Sequence, residues 1–172
     1  MKKIRLIQGL TFALFLSLTA CTPAKYKTYI VGNWRPAVLE SVDSKHYSLT
    51  PDSATNQFTG IAHAFDPIKQ SLLDSNKTRI TVEDFMEQIQ AVTAETRTMY
   101  TFSSNGTGTR VVPDGISMRG TWKLKKRGKL LVLTNPDITQ PFKLTIDTLT
   151  STRMVVRNPY MPQGMRLTYI KQ

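Results

Sequence analysis

Gly120-Thr121-Trp122-Lys123-Leu124-Lys125-Lys126-Arg127-Gly128-Lys129-Leu130-Leu131-Val132-Leu133-Thr134 reads as two strands and a turn. Trp122 and Leu124 alternate with Thr121, Lys123 and Lys125, the period-two pattern of a strand with one buried face. Gly128 turns the chain, and Leu130 to Thr134 returns. The same period extends both ways along the chain. Upstream, Tyr100 and Phe102 alternate with Thr101, Asn105-Gly106 gives a strong hairpin signal, and Ile116 and Met118 alternate with Ser117 and Arg119. Downstream, Asn135-Pro136-Asp137 turns the chain again. Phe142, Leu144 and Ile146 then alternate with Lys143, Thr145 and Asp147, and Met154 and Val156 with Arg153, Val155 and Arg157. After a turn at Pro159 and Pro162, Met165, Leu167 and Tyr169 alternate with Arg166 and Thr168. Short strands at roughly 8–12 residue spacing predict an antiparallel barrel or sandwich, and closure into a barrel removes exposed edges.

Ahead of this meander lie a first strand region, Tyr29 to Glu40, and a less regular stretch over 42–97. That stretch carries two helix signals. Asp66-Pro67 is an N-cap with proline at the first helical position, followed by Ile68, Leu72 and Leu73. Thr81 with Asp84 three residues on is an Asp variant of the capping box. Val82, Phe85, Met86, Ile89 and Val92 then form one apolar stripe, a packing face or a cap on the barrel. The expected fold is mainly β: one barrel domain over 30–172, with a helical insertion at about 56–97 whose helices lie at 66–97.

Residues 1–20 differ in character from the rest. Lys2, Lys3 and Arg5 precede an apolar run from Leu6 to Ala20, broken by Gln8, Gly9 and Thr11. A spanning helix needs about 20 predominantly apolar residues, so the run is too short to cross a bilayer and suits a secretory signal. Leu18-Thr19-Ala20-Cys21 resembles the lipobox of bacterial lipoproteins. That resemblance implies cleavage before Cys21 and acylation, including palmitate, of the chain's single cysteine. Multiple acyl chains hold a protein firmly on a bilayer, each buried methylene contributing about 0.8 kcal/mol. No thiol is then left for a disulfide. Residues 21–29 read as the lipidated cysteine and a short tether.

Charge is unevenly spread. Residues 21–97 hold 8 Lys/Arg against 9 Asp/Glu, whereas 98–172 hold 12 against 3. Lys123, Lys125, Lys126, Arg127 and Lys129 form the densest patch. It reads either as a solvated hairpin tip or as a contact to anionic lipid, glycan or an acidic protein. An exported, anchored chain excludes nucleic acid as the target.

Gly32-Asn33-Trp34 and Gly120-Thr121-Trp122 repeat a Gly-x-Trp pattern, with Tyr100-Thr-Phe-Ser-Ser-Asn-Gly-Thr-Gly108 between them and Leu144-Thr-Ile-Asp-Thr-Leu149 after. Over about 30–42 and 98–172 the chain resembles the lipocalin-like domains of exported Bacteroidetes-type lipoproteins. The resemblance implies that Trp34 packs at the closed end of the barrel under a basic residue of a late strand, Arg166 or else Arg157. It also implies a small apolar or amphipathic ligand in the barrel mouth. By strand parity the lining would be Tyr100, Phe102, Met118, Trp122, Phe142, Met154, Met165 and Tyr169. The same residues equally make a filled core, since eight strands leave room only for side chains or one small ligand. The tether carries no acidic residue after Cys21, unlike surface-exported relatives. The expected address is therefore the outer membrane, facing the periplasm.

Catalytic signatures are missing from the sequence. It has no Gly-x-Ser-x-Gly, no P-loop and no His-Glu-x-x-His. His46 and His63 lack partners at metal-ligand spacing. Glu83 and Asp84 suit the first turn of a helix without any chemical role. The sequence thus points to no enzyme, no cofactor and no metal, and to either a ligand-binding barrel or a filled-barrel interaction module.

Overall fold

The computed structural model describes residues 24–41, 45–49, 82–112 and 117–172. The signal segment 1–20, Cys21, the helix expected after Pro67, His63 and Ile116 lie outside them.

The period-two segments become strands β1 (Gly32–Glu40), β2 (His46–Ser48), β3 (Met99–Phe102), β4 (Thr107–Val111), β5 (Met118–Lys125), β6 (Leu130–Thr134), β7 (Phe142–Leu149), β8 (Arg153–Arg157) and β9 (Arg166–Lys171). Each pairs antiparallel with its neighbour, and β1 also pairs with β9, from Trp34 opposite Lys171 to Glu40 opposite Arg166. β1 and β3 to β9 therefore close an eight-stranded up-and-down barrel, the architecture of lipocalins. β2 and β3 lie end to end on one edge of β1: Gly32 to Trp34 pair with β3, and Val38 to Glu40 with β2.

Among the described residues two α-helices flank the barrel, α1 (Ala24–Ile30) and α2 (Val82–Glu95). The segment read as a tether is thus mostly helical, and the strand expected from Tyr29 begins at Gly32. The reason is local. Ile30 is fully buried against the barrel, its carbonyl accepts the Trp34 indole N–H at 2.7 Å, and Gly32 takes φ of 134°, which reverses the chain into β1.

Because the strands alternate in direction, their connections alternate between two ends. α1 and the turns at 103–106, 126–129 and 150–152 share one end. α2 and the connections 96–98, 135–141 and 158–165 share the other. The core fills the space between them. Trp34, Tyr100, Tyr169, Phe102, Leu131, Leu133, Leu144, Met154, Met165 and Leu167 are all fully buried.

Candidate functional site

Seven of the eight side chains assigned to a ligand lining, Tyr100, Phe102, Met118, Trp122, Met154, Met165 and Tyr169, belong to the packed core. Tyr100 stacks on Phe102 at 5.9 Å and meets Tyr169 edge-on at 5.4 Å, while Phe102 meets Trp122 edge-on at 5.9 Å. Gly108 makes room for this aromatic cluster, since a Cβ there would lie 3.2 Å from both the Phe102 and the Trp122 rings. Phe142, the eighth residue, is only partly buried. It sits toward the α2 end, stacked on the exposed Tyr160 at 6.0 Å.

That end holds a buried polar cluster. The last turn of α2 carries Glu95 inward, 1% exposed. Its carboxylate accepts hydrogen bonds from the Tyr100 hydroxyl, from the Tyr169 hydroxyl at 3.3 Å and from Arg110 Nη2 at 2.7 Å. Burial, then the Glu95 charge, pushes both tyrosines well above the ordinary value for a phenol. Burial works against the Arg110 charge, but Glu95 and Tyr100 together outweigh it and raise the guanidinium further. Arg110 also lies 5.0 Å over the Phe142 ring, and its Nε is buried with no partner among the described residues. Beside this cluster a cavity of about 520 Å³ opens between α2 and the barrel. Its walls include Asp84, Glu87, Glu95, Arg110, Asn158 and Tyr160.

The helix stripe read from the sequence is only partly the packing face. Val92 is buried and Ile89 packs on the core, but Met86 is 48% exposed. The buried face runs on through Glu95 and Thr96. Glu95 carried no sequence signal, because a lone glutamate at a helix end reads as solvated.

At the other end Trp34 is buried beneath α1. The cation over its ring is Lys171, at 5.0 Å, and not Arg166 or Arg157. The register decides this. Lys171 sits opposite Trp34, whereas Arg166 sits opposite Glu40 at the far end of β1 and pairs with Glu40 and Asp147 at 3.5 and 3.4 Å. Arg157 also pairs with Asp147, at 2.7 Å. Lys171 Nζ donates to the carbonyls of Tyr29 and Val31, both at 2.7 Å, fastening α1 to β9, and burial lowers its pKa.

The basic residues Lys123, Lys125, Lys126, Arg127 and Lys129 gather at the β5–β6 turn on this same end. Lys126 and Arg127 take φ of 50° and 55°, a region seldom used by side chains other than glycine. Tyr26 of α1 rests on the turn, and a Cβ at Gly128 would come within 2.9 Å of its ring. A groove of about 790 Å³ runs between α1, β5 and the turn at 103–106. Lys27, Thr28, Val31, Trp122, Lys123 and Lys125 are among its walls.

No family model and no curated protein matches the chain. Two solved structures are similar to it. One is a lipocalin-like protein from Bacteroides uniformis, 11% identical, with a TM-score of 0.41 over 83% of this chain and 98% of that one. The other is a duf4847 family protein from Bacteroides vulgatus, 13% identical, with a TM-score of 0.38 over 84% of this chain and 96% of that one. The likeness is one of fold.

Proposed function

We propose that this protein is a lipid-anchored, non-catalytic component of a bacterial cell envelope, held by acylated Cys21 on the periplasmic side of the outer membrane. On this reading the barrel is a solid body and the work is done at its surface, by docking the basic end on an anionic partner. The supporting observation is the fate of the aromatic and methionine side chains. They interlock as the core instead of lining a hollow. A closely packed interior of this kind has no apolar space to offer a ligand.

Native mass spectrometry of the mature protein, gently purified and then denatured, tests this. The expected mass is that of residues 21–172 plus acyl groups on Cys21, unchanged by denaturation apart from charge state. Retention on a polyanionic matrix should fall steeply with salt. An unmodified Cys21 overturns the anchor. A discrete small molecule released on denaturing overturns the solid-barrel reading and favours a second one. In that reading an amphipathic ligand sits in the cavity beside α2, where exposed Tyr160 supplies an aromatic face and the Arg110 guanidinium a positive charge. Its volume lies within the usual range of ligand sites.

A further inference from the structure

The distance from the anchor to the barrel is short. Cys21 stands three residues ahead of Ala24, where α1 begins. Three residues reach about 11 Å at most when fully extended. α1 cannot swing away to lengthen that reach without losing its seat. Ile30 is fully buried, Tyr26 rests on Gly128, and Lys171 Nζ holds the carbonyls of Tyr29 and Val31. A chain held by Cys21 therefore turns its α1 end to the bilayer, with the far end directed away.

The end so placed is the basic one. Lys25 and Lys27 project from α1, and Lys123, Lys125, Lys126, Arg127 and Lys129 from the adjoining turn. Among the described residues no carboxylate forms an ion pair with these five tip side chains. Asp147, which shares a small cleft with Arg127 and Lys129, is held by Arg157 and Arg166. The groove between α1, β5 and the 103–106 turn combines cationic Lys27, Lys123 and Lys125 with apolar Val31 and Trp122. Ammonium groups beside apolar wall match a phosphate head on a hydrocarbon stem. A gap of about 11 Å leaves no space for a folded acidic protein between this face and the membrane, and it is close to the Debye length of about 8–10 Å at moderate salt.

We infer that the α1 end is a headgroup-binding face: phosphates of anionic phospholipids, in the leaflet that holds the Cys21 acyl chains, occupy the groove and the Lys125–Arg127 tip and stand the barrel upright. This rests on the anchored, surface-docking reading proposed above and adds the partner and the orientation.

The test uses the mature acylated protein in vesicles of phosphatidylcholine alone and of phosphatidylcholine with phosphatidylglycerol. Exposed lysines are labelled with a water-soluble amine reagent and read by mass spectrometry. Lys123, Lys125, Lys126 and Lys129 should label several-fold more slowly in the anionic vesicles, and the difference should shrink as salt is raised. Lys143, an exposed β7 residue toward the far end, should label equally in both. The variant Lys125→Gln/Lys126→Gln/Arg127→Gln, altered only at the exposed tip, should label at the phosphatidylcholine rate at Lys123 and Lys129 in both vesicles. Equal labelling of the wild-type tip in the two vesicles overturns the inference while leaving the anchor intact. Failure of the protein to float with either vesicle overturns the anchor itself.

Discussion

Glu95 sits among aromatic rings because three donors converge on it: two phenols and a guanidinium. Removing one partner of a buried ion pair strands the other, which is costlier than never having had the pair. Glu95→Ala should therefore lower the unfolding free energy by about 3 kcal/mol in urea titrations, and Glu95→Gln by less, since the amide still accepts from a hydroxyl. The two tyrosines give the cluster a pH signature. Their folded values are raised, so their contribution is fully present below the ordinary value near 10. It is lost as pH rises past that point toward the raised values. Stability should fall there by about 1.4 kcal/mol per pH unit for each tyrosine, and the fall should be halved in Tyr169→Phe. Chemical denaturation at stepped alkaline pH checks both. None of this was legible in the sequence, where Tyr100 and Tyr169 read only as inward-facing aromatics, of a ligand lining or of a filled core. A hydroxyl's partner depends on which helix end is folded over it, and strand periodicity carries no such information.

Strands were the legible elements. Each alternating segment from Met118 to Lys171 forms the strand its period implies, and Asn105-Gly106 and Gly128 turn where they stand. Period two survives in sequence because one face meets the core and the other meets water. α1 was illegible for a complementary reason: seven residues give too few turns to show a stripe, and its stability comes from Ile30, Tyr26 and Lys171 contacts made elsewhere in the chain. The second Gly-x-Trp shows what the motif's glycine does. A Cβ at Gly120 would lie 2.0 Å from the Thr134 carbonyl oxygen, across the β5–β6 ladder. Gly120→Ala should cost about 3 kcal/mol or more by forcing those strands apart, measurable as a lowered urea midpoint. In α2 and the turn that ends it, Val92, Glu95 and Thr96 are buried while Glu83, Asp84, Met86 and Glu87 are exposed. Hydrogen exchange should accordingly grade along the helix, with amides near Glu87 exchanging well before those at Glu95 and Thr96.

Across the whole molecule, the densest basic and acidic groups stand at opposite ends of the barrel, while Arg110, Arg119, Lys143, Arg157 and Arg166 add positive charge toward the α2 end. The basic tip lies at the α1 end, and Glu83, Asp84, Glu87 and Glu95 ride on α2 at the other. The tip cations share an end with α1 because the meander returns every second turn to the same side. Crowding five cations on one turn disfavours the folded state by self-repulsion. The variant Lys125→Gln/Lys126→Gln/Arg127→Gln should melt slightly higher than wild type at low ionic strength, by on the order of 2 °C, with the two curves merging at high salt. A melting point that fell instead would mean that the tip cations hold the fold together. The strands between the two ends also act as a spacer. β1 has 9 residues. At about 3.3 Å per residue and a tilt of about 40°, it gives a height of roughly 23 Å. That stand-off is more than twice the screening distance of salt water, so a barrel standing on a negatively charged bilayer carries its acidic helix beyond the reach of the surface that draws in its base.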